Sequence, residues 1–133
     1  MDIHLRIARP VSNLSRSVTM YEQGLGLVTI GRFEDHEGFS GVMLGHPNSA
    51  YHFEFTVCHA HPIAPAPTPE DLLVLYFPEL EKWRKACDRM MEAGFSEVAP
   101  SNPYWRKNGC TFEDHDGYRV VLERDEWNAN ELR

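Results

Sequence analysis

Between Ala50 and Cys58 apolar and polar side chains alternate, with Tyr51, Phe53, Phe55 and Val57 on one side and His52, Glu54, Thr56 and Cys58 on the other. A period of two predicts a strand with unlike faces. The opening residues repeat the pattern: Ile3, Leu5 and Ile7 share a face expected to be buried, and His4, Arg6 and Ala8 share the opposite one. If both strands lie in one sheet packed on helices, His4, Arg6, His52 and Glu54 meet either solvent, as a surface ion pair, or one another across a common hollow.

Between these strands the period changes. Ser12 or Asn13 can cap a helix with apolar positions Leu14, Val18, Tyr21 and Leu25, and Gly24 and Gly26 suit its end. Strands are predicted over Leu27 to Phe33 and Phe39 to Leu44, joined by the polar turn Glu34 to Gly38 and followed by the turn Gly45 to Ser49. The first half thus runs strand, helix, three strands. Residues 59–70 form a linker, with four prolines from Pro62 to Pro69, predicted to be stiff and extended.

The second half replays that order. Leu72 to Phe77 is a short apolar run, and Pro78 and Glu79 open a helix striped by Leu80, Trp83, Cys87, Met90 and Met91, ending at Ala93 and Gly94. Glu97 to Asn108 is a long connection, Cys110 to Glu113 a strand, Asp114 to Gly117 a turn, and Tyr118 to Arg124 the last strand. The expectation is one α+β domain made of module 1 (3–58), the linker, module 2 (71–124) and a polar tail (125–133) that frays or docks loosely. The echo of Phe33 to Gly38 in Phe112 to Gly117 falls after the second strand of one copy and the third of the other. It is attributed to convergent turn chemistry.

Composition narrows the function classes. A formal net charge of -7 without clustered Lys or Arg argues against nucleic acid and against an anionic membrane surface. No apolar run approaches the roughly 20 residues that span a bilayer, and Asp2, His4 and Arg6 interrupt any leader pattern, so a cytoplasmic setting is expected. The three cysteines, Cys58, Cys87 and Cys110, have no paired spacing and are expected to be reduced.

Val11-Ser12-Asn13-Leu14, Met20-Tyr21 and Leu25-Gly26-Leu27 in the first copy, with Asp114-His115-Asp116-Gly117-Tyr118 entering Val120-Val121-Leu122 in the second, resemble the vicinal oxygen chelate superfamily. That superfamily includes glyoxalases, bleomycin-resistance proteins, fosfomycin-resistance enzymes and extradiol dioxygenases. The resemblance covers nearly all of residues 3–124. It implies two βαβββ modules whose sheets curl into a cup, commonly a homodimer, with the unlike strand faces looking into the cup. It also implies four metal-ligand positions, which fall at Arg6, Glu54, Leu72 and Val121; of these Glu54 alone can bind a divalent ion.

The expected site is therefore a small-molecule cup with no cofactor. Glu54 is its candidate catalytic or hydrogen-bonding group, and Arg6 is a fork for a carboxylate, phosphate or planar polar group. His4, His52, Leu72, Val74, Tyr76, Tyr104, Trp105 and Val121 are candidate ligand contacts. Phe33 and Phe39 are candidate stacking partners, and Arg119 and Glu123 lie at the rim. Two alternatives stay open. One is an improvised divalent-metal site at His4, His52 and Glu54, with His59 and His61 nearby, supporting lyase, isomerase or dioxygenase chemistry. The other is an interaction module whose cup is filled by its own side chains.

Overall fold

The computed structural model describes residues 2–129. In chain order its elements are β1 (Leu5–Pro10), α1 (Leu14–Leu25), β2 (Val28–His36), β3 (Phe39–Gly45), β4 (Tyr51–Cys58), β5 (Leu72–Tyr76), α2 (Leu80–Glu92), β6 (Ser96–Val98), a 3-10 turn (Pro103–Arg106), β7 (Gly109–Glu113) and β8 (Arg119–Glu123). They form two four-stranded sheets with matching orders, β1-β4-β3-β2 and β5-β8-β7-β6. In each, the strand before the helix pairs in parallel with the module's last strand, and the other pairs are antiparallel. The chain is an α+β fold of two βαβββ modules.

Local chemistry sets the helix ends. Asn13 caps α1, its side chain accepting from the Arg16 amide at 3.1 Å, and Gly26 ends it at φ 71, a left-handed conformation that glycine adopts without a Cβ penalty. Both helices pack on one face of the sheets and against each other. Gly24 makes this contact possible, because a Cβ there would stand 2.9 Å from the Met90 sulfur and from the Phe95 ring. Tyr21 is fully buried, edge-on to Phe55 at 4.9 Å and to Phe95 at 5.2 Å, so one ring from α1 touches both modules.

Polar groups complete that junction. The Tyr21 hydroxyl donates to Asp114 Oδ2 at 2.8 Å, while Asp114 Oδ1 accepts from the amides of Asp116 (2.8 Å) and Tyr118 (3.0 Å). Burial first, and then the Asp114 charge, push the Tyr21 hydroxyl well above its ordinary pKa. The Ser12 amide donates to Asp116 Oδ2 at 3.0 Å and its hydroxyl to Asp116 Oδ1, and Ser17 Oγ meets His115 Nε2 at 2.7 Å. Tyr118 donates to the Pro10 carbonyl at 3.0 Å, and Arg9 lies 4.2 Å above the Tyr118 ring. Ser17, His115 and Asp116 resemble a nucleophile, base and orienting acid. Ser17 is fully buried, however, and the three serve the joint between modules.

The structure revises several expectations. The strand begins at Leu5, and Ile3 and Leu5 are exposed (65% and 54%); Ile7 alone of that trio packs on the core, because no helix reaches the start of β1. Tyr51 is likewise partly exposed. Strand β2 continues to His36, with Asp35 and Glu37 at positive φ around the turn. Module 2 contains the three-residue strand β6 inside what was expected to be a connection, too short to show a period. The α2 stripe is Trp83, Ala86, Cys87 and Met90, while Met91 faces outward. The FEDHEG and FEDHDG stretches occupy the β2–β3 and β7–β8 turns, which are not equivalent in the two modules. The last four residues of the tail lie outside the described residues.

Replacing Tyr21 by Phe removes one donor from a buried carboxylate and is expected to lower unfolding stability by about 1–2 kcal/mol. Urea denaturation measures this. An unchanged midpoint would remove the Tyr21–Asp114 bond from the forces joining the modules.

Candidate functional site

Alternation along β4 places Phe53 and Phe55 in the core and turns His52, Glu54 and Thr56 to the helix-free face of the first sheet. The parallel register sets Arg6 beside His52 and Ala8 beside Glu54. Arg6 Nη1 donates to Glu54 Oε2 at 3.1 Å, and Arg6 Nε donates to His52 Nε2 at 2.9 Å. Since His52 Nε2 accepts, its proton sits on Nδ1 and is donated to His4 Nε2, 2.5 Å away, which leaves the His4 proton on Nδ1. The four residues predicted from alternation thus form one hydrogen-bonded row.

The row is asymmetric in its exposure. The Arg6 side chain is 49% exposed and that of Glu54 is 14% exposed, so the carboxylate is the more deeply set of the two. Among the described residues the Nη2 end of Arg6 has no protein partner. Burial first, then the Arg6 charge and the neighbouring His4 ring, push the His52 imidazole below its ordinary pKa of 6.5, which favours the neutral ring that accepts from Arg6.

Antiparallel register extends this face across β3 and β2: Gly45 lies beside His52, Met43 beside Glu54 and Gly41 beside Thr56, with Val28, Gly31 and Phe33 beyond them. Three of these positions are glycine. A Cβ on Gly41 would stand 2.6 Å from the Phe33 ring, one on Gly31 2.7 Å from the Met43 methyl, and one on Gly45 2.9 Å from His52 Cβ. The glycines let Phe33 and Met43 lie flat across neighbouring strands, making an apolar shelf beside the charged row. The sequence named Phe33 as a stacking partner; it missed Met43 and the glycines, although glycines inside predicted strands are a signal of close approach.

The second module differs. Leu72, Val74 and Tyr76 share the helix-free face with Arg119, Val121 and Glu123. The 3-10 turn covers that face, since a Cβ on Gly109 would stand 2.7 Å from the Trp105 carbonyl oxygen. Trp105 is nearly buried and Val121 fully so; the loop expected at an opening is packed on the sheet, and neither residue offers surface in this chain. Tyr104 stays half exposed, edge-on to Trp105, and borders a groove of about 740 Å³ with Tyr76, Glu123, Asp125 and Trp127. Burial, then Asp125, push the Glu123 carboxyl upward. Arg119 is engaged by Glu113 at 3.0 Å. His59 bonds Ser40 at 2.9 Å and lies 3.5 Å from Asp35, so it is held apart from the His4–His52 row.

The residues present do not suit the metal that the superfamily pattern implies. Its positions hold a guanidinium, one carboxylate and two aliphatic side chains, and the alternative set of His4, His52 and Glu54 has Arg6 inserted between His52 and Glu54. Among the described residues no three or more His, Cys, Asp or Glu side chains are grouped as a metal site would need.

Family models described as the YycE-like N-terminal domain and the YycE-like C-terminal domain match residues 5–56 and 70–124. The chain is 43% identical over 118 residues to the uncharacterized protein YycE of Bacillus subtilis, covering 89% of this chain and 85% of that one. The crystal structure of a YycE protein of unknown function from Bacillus subtilis superimposes with a TM-score of 0.89 at 38% identity, covering 98% and 95% of the two chains. The fosfomycin resistance protein FosX of Mesorhizobium loti has a TM-score of 0.70 at 10% identity, covering 91% and 90%, and is a likeness of fold. Two matched domain models and this two-module architecture place the chain in the YycE-like family of the vicinal oxygen chelate superfamily.

Proposed function

We propose that this protein binds a small polar or aromatic molecule on the helix-free face of module 1, without the four-ligand metal site of the glyoxalases. The observation that carries this reading is the Arg6–His52–Glu54 row, in which Arg6 is oriented by two acceptors while its Nη2 end stays available. A carboxylate, phosphate or planar carbonyl meets that end, and Glu54 accepts from a donor on the ligand. The flat body of the ligand lies on the shelf of Met43 and Phe33. Tyr76 and Tyr104 border the groove of module 2 with Glu123, Asp125 and Trp127, so the contact on module 1 does not need the second module. Glu54 is the group placed for acid–base chemistry if the bound molecule reacts.

The same reading includes a homodimer in a cytoplasmic setting. Ile3 and Leu5 leave an apolar strip exposed at the start of edge strand β1, which a second copy would cover, and the three free thiols suit a reducing compartment.

Thermal-shift screening with carboxylates, thiols and aromatic ring compounds tests ligand binding, because a molecule bound by the native state raises the melting temperature. Glu54→Gln is expected to reduce the response of any hit by about tenfold or more in affinity while the unliganded melting temperature changes little, the loss of one charge-assisted hydrogen bond. An undiminished response removes Glu54 from the site. Elemental analysis of the purified protein is expected to find no stoichiometric divalent metal, and close to one tightly held ion per chain would favour the metal-dependent alternative.

His52 gives a pH signature. Its native pKa lies below 6.5, so between the two values the unfolded chain binds more protons and stability falls as pH decreases. The contribution is present above pH 6.5 and is lost as pH falls from there through the native value. An NMR titration of the His52 ring with a midpoint at or above 6.5 would contradict the neutral-ring row.

A further inference from the structure

Two thiols outside the ligand face meet inside module 2. The Trp83 indole donates from Nε1 to the Leu122 carbonyl at 2.8 Å, which docks one face of α2 over β8. Cys87 stands one helical turn further along that face. Cys110 is the lateral partner of Leu122 in β7 and, like Leu122, turns to the helix-covered side of the sheet. Both cysteines are free and half-buried, and both pack on the core cluster where α2 lies over the sheet, so each faces the other across the α2–β7 contact. Cys58 lies in the other module, at the end of β4 beside the linker.

We propose that Cys87 and Cys110 are a peroxide-oxidisable thiol pair that closes to an intramolecular disulfide, tying α2 to β7. The step balances with a hydroperoxide as oxidant. The Cys110 sulfur attacks the peroxide, giving a sulfenic acid and releasing hydroxide or alkoxide, which takes the Cys110 proton. The Cys87 sulfur then displaces water from that sulfenic acid, forming the sulfur–sulfur bond. Two thiols lose two electrons and two protons, and the peroxide is reduced to water or to water and an alcohol.

The order of attack follows from the influence of each thiol on the other. Cys87 holds the Cys110 thiol below its ordinary pKa, while Cys110 first and burial second push the Cys87 thiol up. Cys110 is therefore the better thiolate and Cys87 the resolving partner. Glu97 beside Cys110 and Asp88 beside Cys87 oppose ionisation of the pair, which makes the reaction slow compared with a dedicated peroxidase. The pair is independent of the ligand-binding reading and would survive its failure.

The test treats the full chain with hydrogen peroxide, traps remaining thiols with N-ethylmaleimide and weighs the intact protein under denaturing conditions. Alkylated thiols are expected to fall from three to one per chain and to return to three after dithiothreitol. Trypsin is expected to release a linked pair, Ala86 to Arg89 joined to Asn108 to Arg119, whose masses sum with the loss of two hydrogens. Cys58→Ser must keep the linkage, and Cys110→Ser and Cys87→Ala must each abolish it, so one poorly folding variant does not decide the matter. Three alkylatable thiols after treatment, sulfinic acids on the separate cysteines, or a bond through Cys58 within or between chains would each overturn the proposal.

Discussion

The tertiary structure hangs on the fit of α1 against the β7–β8 turn of the other module. A four-stranded sheet with one helix leaves much of its apolar face uncovered, and the two modules solve this by pressing α1 against α2 and sharing Tyr21, Phe55, Phe95 and Met90. Apolar contact is nondirectional and would tolerate sliding. The Asp114 carboxylate, accepting from the Tyr21 hydroxyl and two turn amides, converts that contact into a fixed relation. Asp116 and His115 extend it to Ser12 and Ser17 in the segment that follows β1. The placement of β1, and hence of Arg6, is therefore held from both ends: by pairing with β4 and by a joint built from module 2.

Much of this was legible in the chain. Alternation in β4 named the two faces correctly, and the same parity in β1 brought Arg6 to His52 and Glu54. Parity is a local property of the backbone, and it survives whatever else the fold does. What failed was the burial of Ile3 and Leu5, since a pattern records which residues share a face but not how far a helix extends over it. The motif Asp114 to Tyr118 was legible as a marker of kinship, yet its work as an intermodule joint depends on Tyr21 of α1, 93 residues before Asp114, and such pairings leave no local trace.

The site was half legible for a similar reason. Side chains that carry charge declare themselves, so the polar row was found. The glycines that shape the neighbouring shelf act by lacking a side chain, and only the register between strands shows what lies across the space they leave. Trp105 illustrates the opposite error: an aromatic residue in a long connection suggests an open mouth, whereas here the turn folds down and the indole becomes part of the sheet's cover.

The Gly41 and Gly31 positions have a mechanical consequence. Phe33 and Met43 lie over bare main chain and are not wedged between neighbouring Cβ atoms at those places, so each can rotate away about its own χ angles with no shift of the strands beneath. Rotamer motions of that kind are fast on the scale of strand or domain movement. The first sheet thereby combines a fixed strand frame with two side chains free to swivel on its helix-free face.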